Sequence, residues 1–137
     1  MNKLDVSRRS AIVRSLIEGN SIRSTCRITG AAKGTVLRLL ADVGVACQEY
    51  QDQALRNLPC RDLQCDELWS FVGAKEKHAT DAQKREGFGD AWIWTAIDRA
   101  LKIIPCWHVG SRDADAAFTF MEDLASRLAY RVQLTTD

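Results

Sequence analysis

Two aspartates stand where strands usually exclude them. Asp66 lies in "LQCDELWSF" and Asp137 closes "RVQLTTD", both in stretches that read as strand. Acids are depleted from strand interiors, and an unpaired buried carboxylate is costly. If the second strand runs parallel to the first and beside it, the two carboxylates become neighbours. Such a pair repels unless a cation sits between, and hard oxygen ligands of this kind suit Mg²⁺ or Mn²⁺. Two such ions about 3.5–4 Å apart activate an attacking hydroxyl and stabilise the leaving oxygen of a phosphodiester. The competing reading makes Asp66 an edge-strand or turn acid and Asp137 an ordinary strand end. Glu67 is then either a ligand or a solvated partner.

Other residues are read as structural. Asp98, Asp113 and Asp115 fit turns and helix caps. His108 fits packing or hydrogen bonding, and the Trp92–Trp94 pair fits strand filling more simply than base stacking. Five cysteines form no CxxC knuckle, and no second Cys or His pair follows at finger spacing, so reduced thiols are expected rather than a zinc site or a disulfide framework.

A different chemistry is written into the first third of the chain. Residues 1–41 hold eight Lys/Arg against two acids, a net +6, while residues 42–137 hold eleven against sixteen, a net −5. A basic head on an acidic body points to a polyanion-binding module joined to something with another task. Three helical patterns occupy this head. In "VSRRSAIVRSLIEGNS", Ile12, Val13, Leu16 and Ile17 form one stripe. "SIRSTCRITG" starts at Ser21 as N-cap and turns Ile22, Cys26 and Ile28 inward. "AAKGTVLRLLADVG" offers Val36, Leu37, Leu40 and Val43 for packing. Together they predict a helix-turn-helix, favoured over a plain three-helix cap. The third helix would enter the major groove by its N-terminal end, with Lys33, Gly34 and Thr35 foremost and Arg38 one turn later. Gly34 weakens the helix but lets its backbone approach a phosphate closely.

The elements beyond position 45 must position the acids. Residues 46–61, around a broken helical pattern and Pro59, are expected to be a linker. From position 62 the pattern gives a strand over "LQCDELWSFVGAKEK" and a charged loop over "HATDAQKREGFGD". Two strands then flank "IDRALK". An amphipathic helix follows, with Ala117, Phe120, Met121, Leu124 and Leu128 on one face, and then a last strand. The predicted fold class is therefore α/β (α+β): a helix-turn-helix over 1–45, then over 62–137 the N-terminal part of a ribonuclease-H-like mixed sheet, incomplete. With 46% hydrophobic and 27% charged residues and no apolar run of about eighteen, the chain is expected to be soluble and cytoplasmic, with no membrane partner.

The segments "CDELWSFVGAKEK", "GDAWIWTAIDRALKIIPCWHVGSRD" and "FMEDLASRLAYRVQLTTD" resemble bacterial insertion-sequence transposases of the InsAB type, DDE enzymes on a ribonuclease-H-like core. "SIRSTCRITGAAKGTVLRLL" is similar to the helix-turn-helix that precedes that core. The resemblance implies that Asp66 and Asp137 are the first and second acids of a catalytic triad and that Mg²⁺ (or Mn²⁺) is the cofactor. It implies double-stranded DNA, element ends and target, as partner, with self-association or association with a full-length transposase. In that family the second Asp is followed by glycine, further structure and a catalytic Glu, and this sequence has none of these. A truncated, inactive transposase is therefore expected. The alternative is a non-catalytic helix-turn-helix DNA-binding protein or regulator of transposition.

Overall fold

Polar caps open the first two helices. The structure, a computed structural model, describes residues 4–136, so Asp137 lies outside the described residues. Asp5 accepts the main-chain N–H of Arg8 at 2.8 Å and opens α1 (Val6–Ile17). Ser21 accepts that of Ser24 at 3.2 Å and opens α2 (Ile22–Thr29), as its position predicts. Gly30 then adopts a left-handed conformation, φ 67°, which ends α2 and turns the chain towards α3 (Lys33–Ala54).

Ile12, Ala31 and Val36 are buried together, with Leu4, Leu16, Ile22, Cys26 and Leu39 packed around them. Ser15 and Thr25 are buried too, and their hydroxyls hydrogen-bond at 3.1 Å, joining α1 to α2. The inward faces thus differ from the sequence expectation. Ile17, Ile28, Leu37 and Leu40 are exposed, while Ser15 and Thr25 face inward. Two hydroxyls that satisfy each other can be buried at little cost, and apolar count alone does not reveal this.

The third helix also runs further than predicted. It is 22 residues long and takes up residues 46–54 of the expected linker. "VACQEYQDQA" contains no Gly or Pro and several good helix formers, so nothing there stops a helix already nucleated. The chain divides into two compact units between Asp52 and Gln53.

In the second unit, β1 (Asp62–Val72), β2 (Gly89–Asp98) and β3 (Cys106–Gly110) are followed by a helix and β4 (Gln133–Thr135). The strand–strand–strand–helix–strand order matches the sequence expectation. The charged segment between β1 and β2 is more ordered than a loop. It holds a 3₁₀ turn (Glu76–His78) and the short α4 (Asp81–Arg85), opened by a capping box between Thr80 and Gln83. The long helix before β4 is α5 (Ala114–Arg127), capped by Asp113, whose carboxylate accepts the N–H of Ala116 at 2.9 Å. The sheet order is β3-β2-β1-β4, with β1–β2 and β2–β3 antiparallel and β1–β4 parallel. The protein is α+β, with five α-helices and a four-stranded mixed sheet among the described residues.

α5 covers one face of the sheet. Cys60, Leu63, Ala96, Cys106, Phe120 and Leu124 form the core there. The buried positions of α5 are Ala116, Phe120, Leu124 and Arg127, whereas Met121, expected inward, is 38% exposed. Arg127 is buried because Asp123 one turn earlier receives its Nε at 2.9 Å. The turn after β2 is built on the buried Asp98, whose Oδ1 accepts the N–H groups of Ala100 at 2.9 Å and Leu101 at 2.6 Å. The Leu101 N–H foremost holds this carboxyl below the ordinary carboxylate range. Asp98 and Asp113 are thus turn and cap residues, as read from the sequence.

Candidate functional site

The start of α3 presents the residues singled out for DNA. Lys33, Gly34 and Arg38 are exposed and Thr35 is half-buried, next to the buried Val36 that anchors the helix. Val36 N–H bonds to the carbonyl of Ala32 at 3.1 Å, so the first turn is fixed by its own backbone. A Cβ at Gly34 would meet nothing within 4 Å. Packing therefore does not require the glycine there. Arg8, Arg9, Arg14, Arg23 and Arg27 are all exposed as well, so the positive charge of this unit faces water.

Asp66 sits in the middle of β1, opposite Thr95 of β2. It is exposed, not embedded among apolar side chains as its neighbours in sequence suggest. Strand alternation explains this: Cys65 joins the core face and Asp66 takes the opposite one. Its Oδ1 accepts the N–H of Glu67 at 2.7 Å. β4 runs beside β1 in the register Asp62↔Gln133, Leu63↔Leu134, Gln64↔Thr135. Among the described residues no group of three His, Cys, Asp or Glu side chains is arranged to hold a metal. One exposed carboxylate suits a largely hydrated Mg²⁺, which accepts one or two protein oxygens, but it makes no cage by itself.

A cleft of about 450 Å³ opens on the α5 side of the same strands. Its walls include Glu67, Trp92, Trp94, Arg112 and Phe120, and Asp66 borders it. Arg112 donates to Glu67 Oε2 from Nη2 at 3.3 Å and stands 4.9 Å from the centre of the Trp92 ring. Trp94 Nε1 donates to the carbonyl of Ser111 at 3.1 Å, which ties the β3–α5 connection to the sheet. Sequence reading left Glu67 undecided and did not single out Arg112. The two residues are 45 positions apart, and only the strand–helix crossover joins them. The available signal was the period-two spacing of Glu67 with the core-facing Cys65.

The buried thiols have no catalytic character. Burial pushes Cys106 up to about 12, and its hydrogen bond to Asp123 adds to this. Burial raises Cys60 to about 11, with Asp98 beside it contributing. Thiols held this far from thiolate are poor nucleophiles. Among the described residues no helix is long and apolar enough to cross a membrane. No protein-family model matches the chain, and comparison with curated proteins gives no match.

Proposed function

We propose that this chain carries the DNA-binding segment and the opening catalytic segment of a DDE transposase. Residues 1–45 would act as a helix-turn-helix on double-stranded DNA, and residues from 62 onward as the start of a ribonuclease-H-like core working in the cytoplasm. The observation that carries this reading is the sheet. Three antiparallel strands, a helix, and a fourth strand parallel to the first is the order with which such a core opens. The parallel β1–β4 pairing, from Asp62↔Gln133 to Gln64↔Thr135, adds weight, because it sets the last strand beside the one that carries Asp66.

In this reading Asp66 and Asp137 hold Mg²⁺ or Mn²⁺, which supplies activation of a hydroxyl and stabilisation of a leaving oxygen. Lys33 and Arg38 neutralise phosphates, Gly34 admits the DNA backbone, and Thr35 donates a hydroxyl at the groove. The exposed basic side chains of the helical unit support this use. A second reading, a non-catalytic DNA-binding protein or regulator of transposition, is favoured by the exposed basic side chains of the helical unit, which need no metal chemistry to act.

The test is incubation of the whole chain with end-labelled duplex DNA in Mg²⁺ or Mn²⁺. Retarded complexes that Lys33→Ala and Arg38→Ala weaken are expected, without strand cleavage by this chain alone. Undiminished binding in both variants would remove the helix-turn-helix from the reading. Nicking that Asp66→Ala abolishes would make these residues catalytically sufficient and exclude the regulator.

A further inference from the structure

We infer that the cleft between β2 and the head of α5 takes an unpaired nucleobase, stacked on Trp92 and capped by Arg112. This rests on the reading of the chain as a DNA-processing protein and names the part of the DNA that meets this face. Trp92 and Trp94 differ in what occupies them. Trp94 packs against the core, with its ring centroid 6.1 Å from that of Phe120 and its Nε1 committed to the Ser111 carbonyl. Trp92 is half-buried and has a guanidinium above its ring. A planar, delocalised guanidinium covers an aromatic face much as a base does.

That cover can be displaced. Arg112 is fixed over Trp92 by Glu67, but its side chain is 61% exposed, and ion pairs so open to water contribute little. Lifting Arg112 uncovers Trp92, and the same guanidinium can close over an inserted base or meet its phosphate. The cleft volume of about 450 Å³ is in the range of small-ligand sites, the scale of one nucleotide and not of a duplex.

Charge decides the kind of occupant. An apolar side chain from another protein would use the aromatic floor and neither of the two charged groups beside it. A nucleotide uses both, since its phosphate complements Arg112 and an exocyclic amino group donates to Glu67. Asp66 precedes Glu67 on β1 and is among the residues around the cleft, although its side chain takes the other face of the sheet.

The experiment measures fluorescence anisotropy of labelled single-stranded oligodeoxycytidylate and oligodeoxyuridylate with the whole chain. The two bases differ at position 4, amino against oxo, and at N3, an acceptor in cytosine and an N–H in uracil. Tighter binding of the cytidylate is expected, because Glu67 accepts from the amino group and repels the oxo group. Glu67→Gln should erase that preference. Trp92→Ala should weaken both by about tenfold, and Trp92→Phe should retain most of the affinity. Duplex binding, which tests the helical unit, should stay unchanged in every variant. If Trp92→Ala binds single strands like the parent, or Glu67→Gln leaves the base preference intact, the cleft is not the site. Duplex binding by the helical unit would stand in either case.

Discussion

Asp98 has the most completely defined environment of the acids, and its charge carries a stability consequence. Two main-chain N–H groups converge on one oxygen, with that of Leu101 the stronger influence, and hold the folded-state carboxyl below its ordinary value. A depressed carboxyl contributes stability above its unfolded pKa, about 3.9, and the contribution is lost as pH falls through the folded value. The melting temperature should therefore fall on acidification below about pH 4. Asp98→Asn keeps the acceptor oxygen and loses the charge, so thermal melts across that range should show a smaller acid dependence. Gly34 permits an equally sharp separation. With open space where a Cβ would stand, Gly34→Ala should stabilise α3 by about 0.5–1 kcal/mol in denaturant titrations. It should nonetheless weaken duplex binding if the bare backbone is what meets the phosphate.

α5 closes the core of the sheet unit, since Phe120 and Leu124 pack into its inner face. Phe120 is 3% exposed, and Phe120→Ala should cost about 3–5 kcal/mol in the unfolding of the sheet unit. Met121→Ala, one position further round the helix, should cost far less. This difference was only half legible in the sequence. The 3.6-residue period located α5 and the period of two located the strands, because each has one apolar face. The exact faces were less visible, because Ser15, Thr25 and Arg127 are buried through polar partners that lie elsewhere in the chain. The continuation of α3 past residue 45 carries no apolar stripe to mark it, and its signal is the absence of Gly and Pro over residues 45–54. Glu67 and Arg112 could be joined only by the fold, whereas Asp66 could be singled out from its setting among strand residues.

At the scale of the whole molecule there are two compact units: a basic helical unit and a sheet unit that carries Asp66. Duplex binding should be electrostatic before it is specific. Each phosphate contact removed, as by Lys33→Ala or Arg38→Ala, should lower the salt slope of binding by about 0.9. Substitutions in the sheet should leave that slope alone. The proposed metal would belong to the other unit and could be followed without any activity. The most direct measurement is a Mn²⁺ titration of the whole chain by electron paramagnetic resonance, compared with Asp66→Asn and Asp137→Asn. A bound-Mn²⁺ signal that is present in the parent and lost in both variants is the expected result. A signal that survives in Asp66→Asn would place the ion elsewhere and contradict the assignment of Asp66 to a transposase metal site.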